Sequence, residues 1–348
     1  MRKTFKIFIF SIIKFLGIFY ICRHFTRNGL RILCYHNFLV GNDVQFRPSI
    51  FTRPESLKKR IDYLKRKRYP IIGLEEGIRL LSQNRLPPCA TVITIDDGWY
   101  GIKLNAHDLL NDQKIPYTIY VTSYYAENET PIFGLVIQYI FWKTRVKNWD
   151  QMILDLTKEM TIPTISNSSK ADQIEEIIEF GEKNLDSDGR KQLMERLAKS
   201  FGVDYTELSQ RRIFNLLNRS EIRELSSAGA NIQLHTHRHV WPLDLVSAKQ
   251  EIELNRSFLE PLVESKLEHF CYPNGTWQEE QLQFFDGLDI KSATTCDPGL
   301  NYSDTHRLAL KRYVDSEKKS KIEFEAEMSG FSEILHRVLS VLSFSRNN

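Results

Sequence analysis

The chain has no C-x-x-C pair, no fixed-period repeat and no clean run of about twenty apolar residues. Its cysteines, Cys22, Cys34, Cys89, Cys271 and Cys296, are odd in number, which fits buried, reduced thiols better than a disulfide framework. Reduced thiols favour the cytoplasmic side. Without an internal period a solenoid is excluded. Acidic residues are absent from positions 1–31, and histidine is scarce throughout, with 9 in 348 residues.

What is present fits a globular enzyme-sized chain. A length of 348 residues suits one large α/β barrel or two ordinary domains, and 42% hydrophobic with 26% charged residues implies a real core. The net charge of +3 is unevenly spread. Seven of the 47 basic residues (Arg2, Lys3, Lys6, Lys14, Arg23, Arg27 and Arg31) lie in the acid-free segment, leaving 40 basic against 44 acidic residues elsewhere. A mildly acidic body argues against a nucleic-acid partner.

Residues 1–28, "MRKTFKIFIFSIIKFLGIFYICRHFTRN", are apolar from about Ile7 to Cys22 but are interrupted by Lys14. That is short for a span, and no A-x-A-like cleavage site follows. The features suit a basic helix lying in the headgroup region, with an uncleaved single span and a buried helix of the fold as alternatives. The expectation is a membrane-associated chain, on the cytoplasmic face, held to the membrane surface by residues 1–28.

Short apolar runs then alternate with amphipathic stretches. "RILCYHNF" reads as a strand ending at His36, and "PESLKKRIDYLKRKRYP" as a helix. A short strand follows around Pro70–Ile72, then the helix "EEGIRLLSQNRLPP". Thr91–Ile95 in "CATVITIDDG" is β-branched and uniformly apolar, the pattern of a strand buried on both faces. A helix near Gly101–Asn111 and the strand "IPYTIYVTS" continue the alternation, which points to parallel β/α units. From about 125 to 226 the pattern becomes helical and reads as an insertion, a candidate lid or partner-binding cap. Strands resume with "GANIQLHTHRH", "LEHFCYPNG", "IKSATTCDPG" and "LALKRYVD".

Polar residues gather where these strands end, which is where a β/α barrel carries its active site. Asp96 and Asp97 close one strand. His235 and His239 follow another with i, i+4 spacing, suited to two ligands on one face of a turn. One carboxylate and two imidazoles form a three-ligand set with open positions, the layout of a catalytic metal. Zn²⁺ suits it, as do Co²⁺, Ni²⁺ or Fe²⁺. The second carboxylate is then free to take a proton from water.

Together, "TIDDG", "HTHRH" and "CYPNG" resemble the T-F-D-D-G, H-[ST]-x-x-H and R-x-P-x-G motifs of the polysaccharide deacetylases, the NodB-homology or carbohydrate esterase family 4 group. The resemblance covers roughly residues 30–124 and 226–315. It implies a distorted (β/α)7 barrel at 29–348, carrying the helical insertion and preceded by the membrane-associated helix. The implied activity is metal-dependent removal of N-acetyl groups from amino sugars of a polysaccharide or lipid-linked glycan. By position, Asp96 is then the base, and Asp97, His235 and His239 hold one divalent metal. The loop Tyr272, Pro273, Asn274 and Gly275 meets substrate, with the Asn274 N–H facing the oxyanion. His237 falls on a variable position, as a pocket or surface residue.

Two departures qualify that transfer. The arginine that orients the base in the family is Cys271 here, and Arg312 in "LALKRYVD" is the candidate replacement. No L-x-H motif follows the histidine cluster within the barrel, and "ILHRV" near His336 lies beyond it. "LCYHNF" is similar to the Y-H segment of circularly permuted deacetylases, so His36 is the expected acid. Trp99, Tyr100, Trp241, Tyr272 and Trp277 are candidates for stacking on sugar rings. The alternatives are a hydrolase of another non-peptide C–N bond and a non-catalytic glycan-binding or assembly protein.

Overall fold

The computed structural model describes residues 3–144, 149, 151, 153 and 169–344. Its chain divides into two compact units, one formed by Met1–Glu127 with Leu217–Asn348 and the other by Asn128–Leu216.

The first unit opens with helices α1 (Lys3–Phe15) and α2 (Ile18–Phe25) and then β1 (Arg31–Tyr35). A small parallel pair, β2 (Asn37–Phe38) with β3 (Phe51–Thr52), precedes α3 (Pro54–Arg66) and α4 (Leu74–Ser82). Strand β4 (Thr91–Ile95) leads to α5 (Tyr100–Asn105), α6 (His107–Asp112), β5 (Thr118–Val121) and α7 (Tyr124–Asn128). The second unit holds α8 (Phe133–Lys143), α9 (Lys170–Asn184), α10 (Ser187–Ser200) and α11 (Tyr205–Gln210), with no strand among its described residues. Back in the first unit, α12 (Arg219–Ser227) precedes β6 (Asn231–Leu234), α13 (Leu245–Leu259), β7 (His269–Cys271) and β8 (Ser292–Thr294). The chain ends with β9 (Tyr313–Val314), α14 (Lys321–Met328) and α15 (Phe331–Phe344).

Seven strands form one sheet in the order β8-β7-β6-β5-β4-β1-β9, every pair parallel. All five residues of β1 and of β4 are buried, as expected of strands covered on both faces. The last segment joins the sheet's two edges. Tyr313 and Val314 pair with β1, while Leu310 bridges Thr294 of β8. This is the curled (β/α)7 arrangement expected from the sequence. All strands point the same way, so their C-terminal ends, carrying Asp96, His235 and Tyr272, share one rim, and Arg312, just before β9, reaches Asp96 there.

Two local expectations change. The strand at Pro70–Ile72 shrinks to a single bridge from Ile71 to Thr91. The helix near Gly101–Asn111 is broken at Ala106, whose φ of −126° separates α5 from α6.

The N-terminal helices meet at a bend of 77°, and no single described helix is long and apolar enough to cross a membrane. Phe10 and Phe19 are buried against Ala326 and Phe331. Lys6 pairs with Glu323 and Lys14 with Glu325, so α1 is pinned to α14 by apolar contacts and by charge. Two cations of the basic helix read from the sequence are thus turned toward carboxylates of the same unit.

The second unit has its own core. The Phe141 ring lies 4.7 Å from Trp149 and 4.9 Å from Phe201, centroid to centroid. Ile177, Leu193 and Leu197 are fully buried. Ser169 caps α9 through a reciprocal bond with Asp172.

Candidate active site

Strand β4 ends on two carboxylates with separate partners. Asp96 is 2% exposed, and Arg312, fully buried, grips it from the β9 side. Nη1 donates to Oδ1 and Nη2 to Oδ2, each at 2.7 Å. Arg312 is itself held, with Nε donating to the Thr295 carbonyl at 2.7 Å and Nη1 to Thr94 Oγ1 at 3.1 Å. Thiols complete the surround, Cys34 Sγ at 3.3 Å and Cys271 Sγ at 3.5 Å from Asp96 Oδ2. Burial pushes the Asp96 carboxyl up, but the Arg312 guanidinium outweighs it and holds the group well below the usual carboxylate range. Arg312 thus pairs with Asp96, from a position just before β9 rather than at a strand end. Cys271 lines the same pocket without replacing the guanidinium fork.

Asp97 lies just past the strand with φ +71°, followed by Gly98 at +81°. Its Oδ1 lies 3.2 Å from His235 Nε2 and 3.2 Å from His239 Nε2. The other oxygen, Oδ2, accepts from Trp99 Nε1 at 2.8 Å. Burial opposes the charge on Asp97, yet bonds to the two imidazoles hold its carboxyl well below the usual range. His235 Nδ1 lies 2.7 Å from the Cys271 carbonyl. A ring donating there presents only a lone pair at Nε2 when neutral. With that lone pair and the His239 Nε2 both facing one carboxylate oxygen, the three ligand atoms lie within 4.8 Å of one another, a spacing that suits a shared cation. Non-glycine residues with left-handed backbone cluster here, with φ of +63° at Thr236, +59° at His239 and +57° at Asn274. Such conformations cost energy and persist where the surroundings impose them.

His36 lies one residue beyond β1, with Nε2 3.9 Å from Asp96 Oδ2. Its Nδ1 is buried without a hydrogen-bond partner among the described residues. His36 thus joins the Asp96 side of the site. His336 lies on α15, exposed and beyond the barrel strands.

The loop after β7 is shaped by Gly275. At φ +67°, a Cβ there would sit 2.4 Å from Cys296 Cβ. Pro273 is buried and Asn274 exposed. The Tyr272 side chain departs from expectation. It is fully buried and its hydroxyl donates to the Leu308 carbonyl at 2.9 Å, because Trp241, Phe270 and Phe285 close round it. Tyr272 is packing beneath the loop rather than a sugar contact. Trp99 is likewise withdrawn from sugar stacking, since burial turns its indole onto Asp97. Trp277 stays half-buried above Tyr272, the rings 6.1 Å apart and 27° from parallel. His237 turns away from the imidazole pair, its Nδ1 2.9 Å from Ser123 Oγ, and burial lowers its pKa.

Sequence reasoning missed Asn255 on α13. Its Oδ1 accepts from the His235 backbone N–H at 2.9 Å, and its Nδ2 donates to the Val121 carbonyl at 3.0 Å. This ties the ends of β5 and β6 together beneath the histidines. An asparagine in mid-helix carries no sequence signal for that task.

Residues 193–293 match the family model described as "Polysaccharide deacetylase". A search of curated proteins finds no match. Among solved structures, the Streptococcus pyogenes deacetylase PplD, in complex with acetate, is similar at 16% identity and a TM-score of 0.56, covering 86% of this chain and 98% of that one. IcaB from Ammonifex degensii is similar at 16% identity and a TM-score of 0.54, covering 86% and 97%. A de-N-acetylase from Aggregatibacter actinomycetemcomitans is similar at 12% identity and 0.53, covering 86% and 99%. At these identities the structures establish the shared fold. The family match spans residues 193–293, less than a third of the chain.

Proposed function

We propose that the protein hydrolyses N-acetyl groups from the amino sugars of a polysaccharide or lipid-linked glycan. The observation that carries this reading is the contact of Asp97 Oδ1 with two imidazole nitrogens at 3.2 Å beside the separately paired Asp96. Asp97, His235 and His239 would hold one divalent cation, Zn²⁺ being the best fit to this donor set. When bound, such a cation supplies Lewis acidity to the acetyl carbonyl and makes water a better nucleophile at neutral pH.

This chain's residues do the rest. Arg312 keeps Asp96 ionised and fixes both its oxygens, so the carboxylate accepts the proton of the attacking water without turning. The Asn274 N–H, presented by the strained loop, bonds the oxyanion as the carbonyl carbon becomes tetrahedral. His36 donates a proton to the amine as the C–N bond breaks, releasing acetate and a free amino sugar. Trp277 offers a ring face to the sugar.

The test is acetate release from N-acetylglucosamine oligomers by the full chain, before and after chelation and Zn²⁺ return, beside Asp96→Asn. Release that needs the metal and vanishes in Asp96→Asn supports the reading. A folded, metal-loaded protein that releases no acetate from any acetylated glycan would overturn it.

A further inference from the structure

The N-terminal helices leave a strongly apolar face in water. Phe15 is 89% exposed, Tyr20 78%, Phe25 76% and Leu16 63%, with Phe8 and Ile21 also more than half exposed. These residues concentrate at the bend between α1 and α2 and along α2. The position of α2 on the barrel is fixed by several contacts. The Arg27 carbonyl accepts from the Cys89 N–H at 2.6 Å, just before β4 begins. Arg23 Nη2 donates to the Arg68 carbonyl at 3.3 Å, and its guanidinium lies 4.2 Å from the Tyr69 ring centroid. Cys89, Tyr69 and the start of β1 all belong to the rim where the strands begin.

That rim is also basic. Lys65 and Arg66, which end α3, and Lys67 and Arg68, which follow it, are four consecutive exposed cations, tied to α2 through Arg23. Arg27 and His24 are exposed beside them. A broad apolar face edged by a run of cations matches an anionic bilayer, where rings enter the interface and cations meet headgroup phosphates.

We propose that the strand-start rim, built from the α1–α2 bend and residues 65–68, rests on an anionic bilayer and holds the opposite rim away from it. The Asp96 and His235 side then stands at least a strand length off the headgroups, about 17 Å for five residues. Taken with the deacetylase reading on which this consequence rests, the substrate is a glycan whose N-acetyl groups lie well beyond the membrane surface. A sugar joined directly to a lipid phosphate would not reach the site.

The orientation is tested without catalysis. On a Cys296→Ser background, whose remaining cysteines are buried, full-length Phe25→Cys and Val246→Cys variants are labelled with an environment-sensitive dye. Val246 is 77% exposed at the start of α13, on the rim that carries His239. Vesicles of phosphatidylcholine with one-fifth phosphatidylglycerol should shift the dye at position 25 to an apolar signal and leave that at 246 unchanged. Neutralising residues 65–68 to glutamine should weaken binding to these vesicles at least tenfold. A shift at 246, equal shifts at both sites, or no vesicle binding would overturn the proposal. So would concentration-dependent dimerisation, detected by light scattering, that Phe25→Asp abolishes. Acetate release from soluble oligomers is read separately. Its absence would weaken the deacetylase reading and leave the dye result standing.

Discussion

Arg312 reaches Asp96 with both terminal nitrogens at 2.7 Å, from 216 residues further along the chain. Both side chains are buried, so the pair is poor evidence for stability, since desolvating two ions consumes most of their attraction. Its consequence is orientation. Lysine at 312 would keep the charge and lose the fork. Arg312→Lys should stay folded with kcat/KM down about 10²-fold, the scale of a misplaced reacting group. Arg312→Ala strands a buried carboxylate and should lose about 3–5 kcal/mol of stability. Wild-type kcat/KM in Arg312→Lys would show the fork to be dispensable.

His36 is judged by what stays intact when it changes. It lies 3.9 Å from Asp96 and outside the Asp97, His235 and His239 set. His36→Gln should therefore lower kcat by about 10²–10⁴, the usual loss on removing a general acid. Its metal content by mass spectrometry should equal that of the wild type. Loss of metal or of the folded state together with activity would mark His36 as a strand-end structural residue.

Much of this arrangement is legible in the sequence because burial on both faces forces a readable pattern. Thr91–Ile95 could be read as an inner strand from its β-branched run alone, and the carboxylates after it as rim residues. Arg312 could be proposed as the partner of a base that lacked its arginine, though it lies before β9 rather than at a strand end. What stayed hidden depends on partners distant in sequence. Trp99 looks like a sugar platform until burial turns its indole onto Asp97. Lys6 and Lys14 look free for lipid until Glu323 and Glu325 meet them. Tyr272 follows the same rule, withdrawn by rings from Trp241 and Phe285 that no local spacing reveals.

Gly275 allows a steric prediction. Its φ of +67° is costly for any side chain, and an added Cβ would sit 2.4 Å from Cys296 Cβ and 2.9 Å from the Cys296 backbone nitrogen. Gly275→Ala should lose about 1–3 kcal/mol in urea unfolding and reduce turnover by moving the Asn274 N–H. Adding Cys296→Ala should not rescue it, because the Cβ and backbone nitrogen remain. Full rescue by that second change would mean that the sulfur alone closes the space.

Glu327, in the last turn of α14, gives a pH prediction with a definite sign. Burial pushes its carboxyl up from 4.5 to about 7, although Lys319 Nζ lies 2.5 Å away and pulls the other way. Between these values the folded chain holds a proton that the unfolded chain has released. Stability from this group is therefore complete below pH 4.5 and declines as pH rises toward 7. The gap corresponds to about 3 kcal/mol at most. Glu327→Gln keeps the neutral shape at every pH, and Lys319 retains the Val314 carbonyl as acceptor. Relative to wild type, the variant should gain stability from pH 5 to about pH 7 in urea unfolding and level off above it. A constant difference across that range would mean that Glu327 is already ionised in the folded protein, with Lys319 prevailing over burial.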